Sequence, residues 1–344
     1  MRRWAWIIGA VGLMLSILGW IADPGRFAFA WLASVVIWLG WPLGCLALLF
    51  VHVLTGGRWG ELLRPALAAG IGTLPLLLPA LVPVALLSQH LFPWLRPEDA
   101  ADLKNTFYLN APFAAARWAA FVVIWFGLGA FALRAWRRGG PSPAVAVIGL
   151  ILLGLTVTFA GFDLILSLEP RFNSSNFGMI VGSQYGLFGL TIATGMTTMT
   201  VPPRAPGYSD LGRLLMGMLV LWAYQDFMQL LIVWQSDLPH EASWYVHRTQ
   251  GPWGILTTVL AAGHFLLPFA ALLWPRLRNS PRGIGTITTL LILMEFLRGW
   301  WLVLPAGNHA PGWIDIGTTL CLGGISAGLA LPARREPIRE PRHV

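Results

Sequence analysis

The sequence predicts an all-α integral membrane protein with ten membrane-crossing helices. Three observations predict it. Of the 344 residues, 56% are apolar and 11% charged, whereas a soluble protein is nearer 25% charged. Apolar stretches of about 20 residues recur along the chain, each long enough to cross a bilayer. The basic residues cluster in alternate connections, as they do when loops face two different compartments. A soluble enzyme, a disordered chain and a disulfide scaffold are excluded on the same grounds.

The spans are predicted at 4–22, 28–54, 66–88, 115–136, 144–167, 176–199, 211–235, 253–275, 284–303 and 314–332. The first follows Arg2 and Arg3 but is too long for a signal peptide, and no small-residue cleavage site follows it. Together, 1–332 read as one polytopic domain, and 333–344 as a basic cytoplasmic tail. With the N-terminus inside, 16 basic residues fall in inner segments: Arg2, Arg3, Arg58, Arg64, Arg134, Arg137, Arg138, Arg204, Arg213, Arg276, Arg278, Arg282, Arg334, Arg335, Arg339 and Arg342. Six fall outside: Arg26, Arg96, Lys104, Arg117, Arg171 and Arg248. That split places both termini in the cytoplasm. The net charge of +8 therefore reads as loop charge, and no nucleic-acid partner is expected.

Charge at bilayer depth is expensive, so each intramembrane ionisable group needs an account. Asp163 shares a face with Thr156 and Ser167 in the span 144–167. In the span 211–235, Trp222, Asp226 and Gln229 share a face, with Tyr224 beside it. His264 and Glu295 lie near mid-depth, and Arg298 follows Glu295 at the i+3 spacing that permits pairing along one helix. Gln184, Thr191, Thr194 and Thr198 line one side of 176–199. Gly178, Gly182 and Gly186 there form a small-residue series suited to close helix contact. The chemical reading is a polar file, with Asp163, Asp226, His264 and Glu295 pointing into the interior and Arg298 as counter-charge. Such chains are the usual material of proton relays. Interhelical hydrogen bonds that fix register are the plainer reading. Asp226 has no obvious cationic partner in its own helix and is the expected site of an exchangeable proton. His52 reads as an interfacial side chain.

No resident redox centre is expected. His52 and His264 lie at different depths, which does not suit a bis-His haem, and Cys45 and Cys321 are isolated in apolar stretches. No metal ligand set, P-loop or dinucleotide fingerprint is present. Pro75, Pro79 and Pro83 interrupt the third span, a feature shared with secondary transporters. A proton-coupled transporter is therefore a second reading. A lipid-linked sugar transferase would need an outer catalytic domain around acids such as Glu169 and Glu241, and no segment is long enough for one.

The connections and helix ends carry a resemblance. They include Thr55-Gly56-Gly57-Arg58-Trp59-Gly60, Tyr108-Leu109-Asn110 with Pro112-Phe113 and Arg117, and Thr158-Phe159-Ala160 with Asp163. Ser167-Leu168-Glu169-Pro170, Phe177-Gly178, Leu221-Trp222-Ala223-Tyr224, Gln229 and Leu231-Ile232-Val233-Trp234 continue the series. Leu238-Pro239, Glu241, Trp244-Tyr245, Arg248, Gly251 and Trp253 form its strongest run, and His264-Phe265 with Leu267-Pro268-Phe269 closes it. In this order they resemble the second NrfD-like, or polysulfide-reductase membrane-subunit-like, quinone-binding-type subunit of alternative complex III, a bacterial quinol:cytochrome c oxidoreductase. The resemblance covers about residues 25–305. It implies two four-helix bundles, near 28–167 and 176–303, with two peripheral helices. It also implies a bacterial inner-membrane location and a quinone or quinol ligand. The implied partners are a sister NrfD-like subunit, a periplasmic iron–sulfur protein and haem c subunits. Two positions depart from the family pattern, which tends to have a basic residue at Glu295 and an acidic one at Arg298. Asp226 stands where the family usually has an uncharged residue.

The outer loops carry Glu169, Arg171, Glu241, Trp244, Tyr245 and Arg248. Charges with aromatic neighbours on one side of the membrane are expected to form one partner-docking surface.

Overall fold

A computed structural model describes residues 1–96, 98, 105–202 and 207–331. Lys104, Arg204 and the basic tail at 333–344 lie outside the described residues. Thirteen α-helices organise the rest: α1 (Arg2–Ala22), α2 (Pro24–Thr55), α3 (Arg58–Ile71), α4 (Leu77–Leu86), α5 (Ala111–Trp136), α6 (Pro143–Leu164), α7 (Phe177–Thr200), α8 (Tyr208–Ser236), α9 (Pro239–Thr249), α10 (Gly251–Leu260), α11 (Leu267–Leu273), α12 (Pro281–Val303) and α13 (Trp313–Ala330). Shorter helical turns connect some of them, and no strand occurs among the described residues. Nine helical units among the described residues are long and apolar enough to cross a membrane. The chain is an all-α, multi-pass membrane protein. The predicted span at 176–199 is a helix as well, α7, but it is not among the nine.

Helix starts are set by capping rather than by hydropathy. Asp23 accepts a hydrogen bond from the Arg26 backbone N–H at 2.9 Å, with Pro24 opening α2. Asn110 accepts from Phe113 N–H at 2.9 Å ahead of α5, and Ser280 from Gly283 N–H at 2.9 Å ahead of α12. A capping acceptor followed by a proline in the first turn satisfies the free amides and presets the backbone. These three helices therefore begin three or four residues before the predicted apolar runs.

The third predicted span starts at Arg58 and is two helices. α3 ends at Ile71, a 3-10 turn at Leu74–Leu76 carries Pro75, and α4 resumes at Leu77. Proline lacks the amide and clashes with the preceding turn, so the break falls where Pro75 stands. The 253–275 span is also irregular: a π-helical turn at Ala261–Leu266 separates α10 from α11.

α2 is the hub of the molecule. It packs on α3, α6, α7, α12 and α13, and most of its residues are buried. It crosses α7 where Gly44 meets the Tyr185 carbonyl and Gly189 meets the backbone of Gly44 and Cys45. Only the absence of Cβ atoms permits backbones to approach that closely. The helix series at Gly178, Gly182 and Gly186 is less tight: Gly182 faces open space. α1 packs almost entirely against α13, with Gly12 against the Cys321 backbone, and its other faces are exposed apolar surface.

Tryptophan indoles tie the helices together. Trp31 Nε1 donates to the Ala80 carbonyl at 2.8 Å, Trp38 Nε1 to the Thr319 carbonyl at 3.0 Å and Trp125 Nε1 to Thr156 Oγ1 at 2.8 Å. Each places a large apolar ring in the core and satisfies its one donor.

The crossing of α2 and α7 gives a direct test. Gly44→Val forces the two backbones apart and is expected to destabilise the protein by about 2 kcal/mol or more. Thermal unfolding of the detergent-solubilised protein should show a clear drop. Gly182→Val, in open space, should leave it unchanged.

Candidate functional site

The intramembrane ionisable groups do not form one file. They separate into three clusters, each made by side chains that cross between helices.

The first cluster fixes Asp163. Arg117 of α5 grips it with a two-pronged fork, Nε to Oδ2 at 3.0 Å and Nη2 to Oδ1 at 2.9 Å. Trp118 Nε1 donates to the same carboxylate at 3.2 Å. The guanidinium also donates to the Tyr108 carbonyl at 2.9 Å and lies 3.8 Å from the Tyr108 ring centroid. Bidentate guanidinium–carboxylate pairs are the strong, geometrically specific kind. Arg117, counted among the outside charges, is thus an inward-facing residue of α5. The Asn110 cap that starts α5 at Ala111 turns it inward. No hydrogen bond or ion pair joins Asp163 to Asp226, His264 or Glu295 among the described residues.

The second cluster lies in the other half of the bundle. Glu295 sits about 21 Å along α12 at 1.5 Å per residue, and is 2% exposed. Gln184 Nε2 of α7 donates to its Oε1 at 2.6 Å. His264 Nε2 stands 3.6 Å from its Oε2. The imidazole is supplied by the π-helical turn and lies against the Trp222 indole, ring centroids 4.2 Å apart. π-helical turns occur frequently at functional sites. Arg298, one turn further along α12, does not pair with Glu295. Its Nη2 donates to Asp226 Oδ1 of α8, and its guanidinium lies 4.4 Å from the Trp301 ring centroid. The expectation of an in-helix Glu295–Arg298 pair is therefore corrected. A 3-residue spacing brings two groups to the same side, but Asp226 offers Arg298 a carboxylate from a facing helix. Asp226, in turn, is not the carboxyl without a cation; that role falls to Glu295, whose polar contacts are an amide and an imidazole.

Asp163, His264 and Glu295 are buried as expected, whereas the Asp226 side chain is 31% exposed. Tyr224 points away from the cluster and is exposed, and Gln229 is held elsewhere, accepting from Ser174 Oγ. Several buried atoms retain hydrogen-bonding capacity: Gln184 Oε1, His264 Nδ1 and Arg298 Nε in this cluster, and Thr191 and Thr194 Oγ1 further along α7. The side chains at 184, 191 and 194 follow one side of α7. At 3.6 Å the carboxyl and the imidazole are just beyond hydrogen-bond reach, so proton exchange between them needs a closer approach of the two side chains. A proton relay would run within this cluster, without Asp163.

The third cluster joins the loops at the far end. Arg248 of α9 is fully buried. It bonds Glu169 Oε1 at 2.7 Å, the Trp301 carbonyl at 3.1 Å and the Leu302 carbonyl at 2.9 Å, and its guanidinium lies 3.3 Å from the Trp244 ring centroid. Burial pulls its pKa down to about 10, with Glu169 opposing the shift, so it stays cationic at neutral pH. Glu169, Trp244 and Arg248 do come together, but Trp244 and Arg248 are interior. They brace the connections α6–α7 and α8–α10 against the end of α12. Arg171 and His247 are exposed around them, and Glu241 and Tyr245 are half-buried. His52 sits at the end of α2 between Gly56 O and Glu61 and is buried.

Sequence reasoning missed Arg117 and the role of Gln184 as partner of Glu295. The Asn110–Pro112 cap was the available signal for the first. Nothing in a single sequence pairs Gln184 with Glu295.

Arg117 and Asp163 offer a test of the first cluster. Arg117→Gln leaves a buried carboxylate without its cation and is expected to cost about 3–5 kcal/mol. Adding Asp163→Asn should restore much of the loss, read as recovery of the thermal unfolding midpoint in detergent. Equal loss in the single and double variants would mean the pair is not coupled.

No protein-family model and no curated protein matches the chain.

Proposed function

We propose that the chain is a cofactor-free membrane subunit of a respiratory quinol:cytochrome c oxidoreductase of the alternative complex III type. In this reading it crosses a bacterial inner membrane ten times, α7 included, with both ends in the cytoplasm. The two halves, near 28–167 and 176–303, act as the two four-helix bundles. The chain anchors the outer iron–sulfur and haem c subunits beside a sister NrfD-like subunit, and it carries protons released near bound quinol. Electron transfer belongs to the partner subunits.

The observation that carries the reading is Glu295 with Gln184 and His264: a buried carboxyl without a guanidinium partner, within the apolar helix α12, beside a second proton-exchanging group. The braced outer end around Arg248 and Glu169 supports anchoring, because it fixes two loops into one rigid platform. The transporter reading draws on the interrupted α3–α4 unit and the π-helical turn. The 3-10 turn buries Leu74 and the π-helical turn buries Gly263 and His264, while Pro75 and Leu266 are exposed.

Affinity purification of the tagged chain from its native membrane distinguishes them. Iron–sulfur and multihaem cytochrome subunits should copurify, with quinol:cytochrome c activity. A chain that purifies alone and without such activity overturns the reading and leaves the transporter. In the purified complex, Glu295→Gln should keep subunit composition and lower proton-coupled turnover by about tenfold or more, the scale of losing one positioned proton-transfer group. Unchanged turnover and proton release would make Glu295 structural.

A further inference from the structure

At the arginine-rich end of the bundle, four helix termini meet around an open basin of about 590 Å³. α2 ends there at Thr55, α3 begins at Arg58, α5 ends at Trp136 and α6 begins at Pro143. His52, Arg58, Glu61, Arg64 and Trp136 are among the lining residues, with the Gly139–Gly140 turn forming one wall. Across 52–64 and 134–143 the sequence holds five arginines, Arg58, Arg64, Arg134, Arg137 and Arg138, against a single carboxylate, Glu61.

We propose that this basin binds the phosphate headgroup of an anionic phospholipid. The proposal stands apart from the respiratory reading. Arg64 is the recognition element. Its guanidinium lies 4.4 Å from the Trp136 ring centroid, which holds the planar fork in place. Its protein contacts are long, 3.4 Å to the Trp136 carbonyl and 3.6 Å to Glu61, so most of its donors remain for a ligand. Arg58 adds a second guanidinium, 73% exposed, whose ion pair to Asp210 is 3.7 Å. Two guanidiniums with open donors match the oxygens of a phosphodiester.

The surroundings select a lipid over a soluble anion. The basin stands at the membrane–water boundary, where α2 and α6 leave their apolar runs. Directly beyond Pro143, α6 exposes Val147, Ile148 and Ile151, and α2 exposes Leu54. Acyl chains attached to a headgroup in the basin would lie along that apolar surface. Basic pockets between membrane helices at this level are suited to anionic headgroups. Gly139 and Gly140 have φ of 110° and 106° and no neighbouring atoms where a side chain would be. The turn therefore closes tightly and leaves the mouth of the basin open.

The test uses the purified full-length protein, stripped of lipid in detergent and titrated by native mass spectrometry. Phosphatidylglycerol should bind in preference to phosphatidylcholine. Arg58→Gln with Arg64→Gln should weaken phosphatidylglycerol binding by about 20-fold, while Arg282→Gln, exposed on the same end, should not. If the double variant does not fold, Arg58→Gln alone should lose about fivefold. Wild-type binding in either basin variant overturns the proposal. Displacement of the lipid by an equal concentration of inorganic phosphate also overturns it, since the basin would then serve a free phosphate.

Discussion

A guanidinium held within the membrane interior requires a carboxylate, and Arg298 of α12 obtains one by reaching to Asp226 of α8. An unpaired charge at that depth costs about 2.5–3.5 kcal/mol on insertion scales. The pair therefore fixes how α8 and α12 face each other. It also decides the state of Glu295, one turn away. With Arg298 engaged elsewhere, Glu295 is left with Gln184 and His264, and the interior acquires a carboxyl whose contacts are an amide and an imidazole. The π-helical turn serves the same arrangement, since it is the segment that presents His264 against Trp222 beside that carboxyl.

The same principle, satisfaction across helices, organises the other half. Arg117 and Asp163 hold α5 to the end of α6. Arg248 and Glu169 hold the α6–α7 and α8–α10 connections to the end of α12. Lipid gives helices no apolar reason to associate, so such contacts and close packing must provide it. The packing component is concentrated where α2 crosses α7 at Gly44 and Gly189, and in the indole donors that bridge α2 to α4 and α13.

The membrane helices were legible because apolar length is a direct consequence of bilayer thickness. Their starts were less so: Asp23–Pro24 and Ser280–Pro281 begin helices in polar sequence that hydropathy assigns to loops. The burial of Asp163, His264 and Glu295 was legible from the cost of exposing them. Their partners were not. Spacing along one helix shows which residues share a face, and so suggested Glu295 with Arg298. It does not show which neighbouring helix occupies that face, and the facing residues were Asp226 and Gln184. Tyr224 shows the same limit: it follows Trp222 by two residues, so it turns outward while Trp222 turns in. Trp244 and Arg248 read as a surface because aromatic and charged residues in loops commonly are one, yet their contacts with each other and with the Trp301 and Leu302 carbonyls draw them inside.

Double-mutant cycles on thermal stability separate the two possible pairings of Arg298. One cycle uses Arg298→Gln with Asp226→Asn, the other Arg298→Gln with Glu295→Gln, each in the purified protein in detergent. Pairing across helices gives a coupling of about 2 kcal/mol or more for Arg298 with Asp226, and about 0.5 kcal/mol or less for Arg298 with Glu295. The reverse order would place the ion pair within α12, and Glu295 would no longer be the carboxyl that lacks a cation.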